Sequence, residues 1–477
     1  MGYTTTSSTV SYSLDWPEEK RRKSCSVIVS PRSHQHQSWV PVVAPPSPPA
    51  TPPELIDANV EPSSYFDEPA FRSFPGVTVA VIGTGYVGLH LVEAFSTAYD
   101  VLAFDISEHR IQEIQSTVAS HVKCTSDPSQ LRNATHFMVS VSTILNQGDH
   151  QSTIDISCIQ SATQMIAKYA RPGSTVIIES SVAVGMTRTL LEPLMKDKSL
   201  RCGMSPERVD PGRTYPAYDS IPKIISGLDE ESLISIKDLY SRVFQNLVPV
   251  SKPEVAEMTK LYENCQRMMC IAYANEMADA CHTLSSSTLA GKDGVTVEIN
   301  PWEVADAAAT KPFGYMPCYP SLGVGGHCIP VNPYYLLSTA EFPLLEKCTK
   351  SMAERPSRIG DRVMERLSVQ GTHQSESRAA RILVVGMGFK RGQSVMSHSP
   401  GKALAVHLLS AYDVYLEYAD PLVEQSAVSF APRFDNPWSE EQLSRFDAII
   451  VAVDQPGYDY EVLDRLQGTH VEWFCRR

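Results

Sequence analysis

Between Val77 and Asp105 the chain carries the feature that most restricts its fold. An apolar run, Val77-Thr-Val-Ala-Val-Ile82, leads without a linker into Gly83-Thr-Gly-Tyr-Val-Gly88, and Leu89 to Phe95 continue with helical spacing. A buried strand that turns on glycines into a helix opens a βαβ unit, whose next strand must return parallel to the first. Val101-Leu-Ala-Phe104 is that strand, and it ends at Asp105, 22 residues beyond Gly83. A lone GxGxxG is a weak signal, but in this frame it predicts a dinucleotide site. Gly83 permits the tight turn, Gly85 lets the backbone approach a pyrophosphate, and Gly88 lets helix and strand pack closely. The helix N-terminus adds amide donors and partial positive charge. Asp105 is placed to accept from the ribose hydroxyls and to repel a 2′-phosphate, which favours NAD over NADP. Arg110 either flanks the adenine or softens that preference, and Tyr86 and Val87 complete the cofactor loop.

The same rhythm continues. Phe137–Val141, Thr175–Ile178, Arg381–Val385, Val414–Tyr418 and Ala448–Val453 are short apolar runs separated by helical stretches. A segment free of Gly and Pro from Glu254 to Leu284 predicts one long helix. The expected fold is α/β: two doubly wound Rossmann-like domains joined by a long central helix. The expected division is a tail at 1–73, a dinucleotide domain at 74–253, a central helical domain at 254–368 and a second α/β domain at 379–477. The tail includes Pro41-Val-Val-Ala-Pro-Pro-Ser-Pro-Pro-Ala-Thr-Pro-Pro53, which can build neither helix nor sheet ladder and is expected to be disordered. A polar stretch from Gln370 to Ser377 reads as a linker.

A net charge of −13 argues against nucleic acid or an anionic membrane as the main partner, although a few local donors suffice for a phosphate. No apolar run is long enough to span a membrane, and the N-terminus lacks a signal-peptide core. Eleven cysteines without CxxC or metal-like His/Cys spacing read as reduced thiols in a cytoplasmic protein with no bound metal.

One cysteine differs from the others. In Gly323-Val-Gly-Gly-His-Cys-Ile-Pro-Val331, three glycines free the backbone to approach a ligand, and Cys328 follows at the edge of that loop. Lys260 and Asn264, four apart on the long helix, project from one face. With Lys311-Pro-Phe-Gly-Tyr-Met-Pro317, Ser205-Pro-Glu-Arg-Val209, Lys260-Leu-Tyr-Glu-Asn264 and Gly386-Met-Gly-Phe-Lys390, this loop closely resembles the UDP-glucose/GDP-mannose dehydrogenase family. Within it, the chain looks most like the UDP-N-acetylhexosamine 6-dehydrogenases.

The resemblance implies two hydride transfers from C6 of a UDP-sugar to NAD, with Cys328 carrying first a thiohemiacetal and then a thioester. It implies Lys260 and Asn264 at the oxyanion and Glu207 at the hydrolytic water. It places Thr143 and Ser181 beside the cofactor, with Ser181 where the family usually has a threonine. It also implies Tyr319, Gly323, Gly325 and Lys390 on the UDP-sugar, and a homodimer or higher homo-oligomer built on the long helix. Three departures stand out. Asn332 occupies the place of a family aspartate, Val395 and Ser397 replace an Asp and an Arg, and Val141-Ser-Thr-Ile144 replaces a proline-rich turn. Two other readings stay open: a catalytically impaired relative that binds nucleotide sugar or NAD, and a two-electron hydroxyacid dehydrogenase that would leave Cys328 idle.

Overall fold

The computed structural model describes residues 76–147, 152–210, 212–213, 215–287, 297–369 and 378–476. The tail at 1–73 and the linker at Gln370–Ser377 lie outside the described residues.

The apolar runs form strands. β1 (Thr78–Ile82), β2 (Asp100–Phe104), β3 (Lys123–Thr125) and β4 (His136–Val139) alternate with α1 (Tyr86–Ser96) and α2 (Glu108–Gln115). A small antiparallel hairpin follows, β5 (Ile144–Gln147) and β6 (Ser152–Asp155). Then come α3 (Ser157–Tyr169), β7 (Thr175–Ile178), α4 (Met186–Lys198), β8 (Arg201–Met204), β9 (Lys223–Gly227), α5 (Glu230–Tyr240) and β10 (Leu247–Pro249). Eight strands make one sheet in the order β10-β9-β8-β7-β4-β1-β2-β3. Period-two alternation sends Ala80 and Ile82 to one face with Ile159 and Ile166, and Val79 and Val81 to the other with Leu91 and Phe95. Both faces are covered by helices, as a doubly wound sheet requires. Chain direction across the sheet reverses between β1 and β4, which opens a crevice at their C-terminal ends. Two strands depart from the expected parallel pattern: β10 runs parallel to β9, and β9 runs antiparallel to β8, with Met204 opposite Ser226. The first residue of β9, Lys223, therefore stands at the end where β7 and β8 finish.

The long helix expected from Glu254 forms as α6 (Pro253–Ser287), about 50 Å long at 1.5 Å per residue. α7 (Pro301–Ala309) and the short α8 (Asn332–Leu337) follow. A second long helix, α9 (Pro343–Val369), was not expected; it runs through Pro356 and buries Leu345, Met352, Ile359, Val363 and Leu367. The last unit contains β11 (Ala380–Val385), α10 (Pro400–Ala411), β12 (Val414–Ala419), α11 (Glu440–Leu443), β13 (Ala448–Val451) and β14 (His470–Trp473). Its four strands are parallel, in the order β12-β11-β13-β14.

The two sheets repeat one device. Gly83 (φ +89°) and Gly386 (φ +88°) each leave a first strand in the left-handed region. Each donates its N–H to the end of the neighbouring strand, Phe104 O and Ala419 O. The loop amides beyond them point at an aspartate: Thr84 N at Asp105, and Met387 N and Gly388 N at Asp420.

Candidate active site

Each glycine of the first loop occupies the position its role demands. Gly83 holds the left-handed turn, and a Cβ on Gly88 would sit 1.9 Å from Gly83 O, so only glycine lets α1 lie this close to β1. A Cβ on Gly85 would meet nothing within 4 Å; the backbone is open to a ligand there, at the head of α1. Asp105 accepts from Thr84 N at 2.9 Å and Thr84 Oγ1 at 3.0 Å with one oxygen, and from Ser107 N at 3.0 Å with the other. Arg110 Nε donates back to Thr84 O at 2.8 Å, and its guanidinium pairs with Glu113. Val87 packs on the core while Tyr86 stays 43% exposed. Thr143 and Ser181 come together across the crevice, with Thr143 Oγ1 donating to Ser181 O at 3.2 Å. These residues fit a dinucleotide: an open glycine face at a helix N-terminus, and a carboxylate at the end of the second strand.

The glycine loop that carries Cys328 lies against α6. Cys328 is half-buried, and its carbonyl accepts from Val331 N and Asn332 N at 3.2 and 2.9 Å, starting the turn that becomes α8. That turn delivers Asn332 to Asn264, whose Nδ2 donates to Asn332 Oδ1 at 2.5 Å; both residues are buried. Lys260, one turn earlier on α6, is 7% exposed and has no ion pair or hydrogen bond among the described residues. Its helix neighbours are committed elsewhere. Glu257 caps the start of α4 through Gly185 N and Thr187 N, and Glu263 pairs with Arg208 at 2.6 Å.

The loop glycines face the second unit. A Cβ on Gly325 would meet Phe389 Cβ at 2.8 Å and Pro400 Cδ at 3.0 Å, and one on Gly323 would meet Pro400 and Pro356. Gly326, in the left-handed region, packs on the Phe389 ring and donates to Ser397 O at 2.8 Å. Val395 and Ser397 thus hold this joint through their carbonyls, since Phe389 N donates to Val395 O at 3.0 Å. Those bonds need no particular side chain. Lys390 reaches Asp210 at 3.1 Å, whereas Tyr319 lies under Arg476, which pairs with Asp306 at 3.0 Å.

Glu207 belongs to a buried cluster whose other members no sequence motif marks. Lys223 Nζ lies 2.7 Å from Glu179 Oε2 and 3.2 Å from Glu207 Oε2, and all three side chains are buried. Tyr240 donates to Glu179, and Tyr218 OH donates to Glu207 Oε2 at 2.6 Å. Glu207 Oε1 accepts from the Arg208 and Val209 amides at 2.6 and 2.9 Å. Burial, working against Lys223, pushes the Glu179 carboxyl up to about 7. Burial also disfavours the Glu207 carboxylate, yet Lys223, Tyr218 and the Arg208 amide outweigh it and hold that group below the usual carboxylate range. The nearest available signal was Lys223 itself, a lysine that opens the short strand Lys223-Ile-Ile-Ser-Gly227.

Among the described residues, all ten cysteines are free, no group of His, Cys, Asp and Glu could hold a metal, and no helix is long and apolar enough to cross a membrane.

Comparison with known proteins identifies the family to which these elements belong. Residues 77–245 match the NAD binding domain, and 254–352 the central domain, of the UDP-glucose/GDP-mannose dehydrogenase family. A UDP-N-acetyl-D-glucosamine 6-dehydrogenase from Pseudomonas aeruginosa is 30% identical over 408 residues, covering 79% of this chain and 90% of that protein. A UDP-N-acetyl-D-mannosamine dehydrogenase from Pyrococcus horikoshii is 29% identical over 406 residues, 80% of this chain and 90% of its own. A solved UDP-D-ManNAc dehydrogenase structure from Pyrococcus horikoshii superimposes with a TM-score of 0.71 at 26% identity, over 83% of this chain and 99% of that one. With 90% of the Pseudomonas relative covered, both α/β units in place and an NAD loop built as described, the chain belongs to the UDP-glucose/GDP-mannose dehydrogenase family and is an NAD-dependent nucleotide-sugar dehydrogenase.

Proposed function

We propose that this enzyme oxidises the C6 hydroxyl of a UDP-N-acetylhexosamine to the carboxylate, with Cys328 carrying the sugar between two oxidations. The substrate class is that of the relatives, which are UDP-N-acetyl-D-mannosamine and UDP-N-acetyl-D-glucosamine dehydrogenases. Bound NAD supplies the hydride acceptor, once for the alcohol and once for the thiohemiacetal. The chain's own residues do the rest. Lys260 and Asn264 donate to the oxygen on C6 as its proton passes to solvent water and it gains negative charge. The Cys328 thiolate adds to the aldehyde carbon, and loss of the second hydride leaves a thioester. Glu207 takes one proton from water as that water attacks the thioester and the thiolate leaves, and the carboxylic acid formed gives its remaining proton to solvent.

One observation carries this reading: a buried lysine free of any described protein anion shares a helix face with Asn264, which is bonded to the turn that begins at Cys328. Nothing observed favours the impaired relative. A homodimer on α6 is part of the proposal. Val255, Met258, Tyr262, Tyr273 and Met277 are exposed apolar residues at helical spacing along it.

NADH counted per sugar tests the chemistry, with UDP-N-acetylglucosamine, UDP-N-acetylmannosamine, UDP-glucose and GDP-mannose as the panel. Two NADH per UDP-N-acetylhexosamine are expected, together with inactivation by iodoacetamide at Cys328 that the UDP-sugar prevents. One NADH per sugar, or protection of a different cysteine, overturns it.

A further inference from the structure

Hydrolysis of the thioester needs a carboxylate that stays ionised inside the protein, and the fold answers that need with a residue from another strand. In β8 and β9 Met204 stands opposite Ser226. Continuing that antiparallel register by three residues past the end of β8 brings Glu207 opposite Lys223. The lysine is 3% exposed, and its ammonium lies over the Phe244 ring at 5.5 Å as well as against the two carboxylates. A buried ammonium without counter-charges would be costly, and so would either carboxylate alone.

The two acids are not treated alike. Glu207 receives four donors, two on each oxygen, whereas Glu179 receives Lys223 and Tyr240. The loop carrying Glu207 is also tied to α6, by Arg208–Glu263 at 2.6 Å and Arg267–Asp210 at 3.9 Å, within a turn or two of Lys260 and Asn264. The titratable and charged groups around the pair come from several elements: Glu179 after β7, Tyr240 on α5, Tyr218 before β9, Tyr86 on α1, Arg208 and Asp210 on the loop, and Glu263 on α6.

We propose that Lys223 is a positioning residue for thioester hydrolysis: its buried ammonium, anchored by Glu179, fixes the Glu207 carboxylate in one orientation and keeps it available as the base for water. This rests on the reading of Glu207 given above. Lys223 touches neither substrate nor cofactor in this scheme; it acts through Glu207.

The test compares full-length Lys223→Met, Lys223→Arg and Glu207→Gln by stopped-flow NADH formation. The substrate is whichever of UDP-N-acetylglucosamine and UDP-N-acetylmannosamine the native enzyme turns over, with mass analysis of quenched enzyme. Glu207→Gln should release two NADH per active site in a burst and then stall, with steady turnover down by about 10²–10⁴-fold and the acyl group held on Cys328. Lys223→Met should reproduce the burst and the trapped acyl group. It should also move the acid limb of turnover to higher pH, because burial is then opposed only by Tyr218 and the Arg208 and Val209 amides. Lys223→Arg should restore most of the turnover.

Burst and steady state falling in equal proportion in Lys223→Met, or native turnover in that variant while Glu207→Gln stalls, overturns the proposal. If Glu207→Gln does not stall, the reading of Glu207 fails and this proposal falls with it. Should Lys223→Met not fold, Tyr218→Phe removes another donor from the same oxygen without changing charge. A retained burst with slowed steady turnover supports the frame around Glu207, and an equal loss of both refutes it.

Discussion

At residue 332 an amide stands where the family resemblance leads one to expect a carboxylate, and its surroundings say what the exchange does. Asn332 is 2% exposed and accepts from Asn264 through Oδ1. An aspartate would keep that acceptor, so the turn and the approach of Asn264 would survive the change. What an amide lacks is the capacity to take a proton. Burial pushes such a carboxyl up, toward the range where a general base works best, with the Asn264 donor opposing it. The Asn332→Asp variant is therefore expected to raise steady-state turnover by about tenfold or more, within the usual contribution of a general base, and to add a new ascending limb to the pH profile. Unchanged turnover with an unchanged profile in an NADH assay refutes it. The departure at Asn332 was legible in the sequence, but its burial and its partner were not, because Asn264 is 68 residues away.

Elements behave differently, since the two glycines that look alike in GxGxxG do opposite things in space. Gly88→Ala puts a methyl group on the Gly83 carbonyl, a clash that only movement of α1 relieves. It should lower stability by about 1–3 kcal/mol or more, seen as a lower melting temperature before any ligand is added. Gly85→Ala meets nothing in the protein. It should melt like the native enzyme yet bind NAD at least about tenfold more weakly, roughly 1.4 kcal/mol. Equal melting temperatures for both variants, or unchanged NAD affinity for Gly85→Ala in a titration, counts against this division of labour. The division could be anticipated because strand, turn and helix are consecutive. α9 was missed for a related reason: Pro356 and Gly360 fall inside it and read as breaks. In place, Pro356 is buried and Gly360 lets α10 approach, with His407, Leu404 and Leu408 at 3.1–3.3 Å from where its Cβ would be. The β5–β6 hairpin carries no apolar alternation, so the sequence offered nothing to mark it.

For the whole molecule the open question is what covers α6. Its exposed residues Val255, Met258, Tyr262, Tyr273 and Met277 keep to one helical stripe, and a second copy of the same helix would bury them. Sedimentation velocity should find a dimer or larger oligomer for the native chain, and a folded monomer once Tyr262→Glu and Tyr273→Glu are combined. A native monomer at micromolar concentration removes that role. What the sequence determined unaided was local: strands from apolar runs, the glycine turn, the long uninterrupted helix and the order in which they come. Such features depend on neighbours along the chain, through backbone sterics and side-chain period. Tertiary structure alone decided that Lys223 meets Glu179 and Glu207, that Asn264 meets Asn332, and that Phe389 and Pro400 close on the glycines before Cys328. Each of those contacts joins segments far apart in the chain, and a buried charge leaves no periodic trace of the partner that makes its burial tolerable.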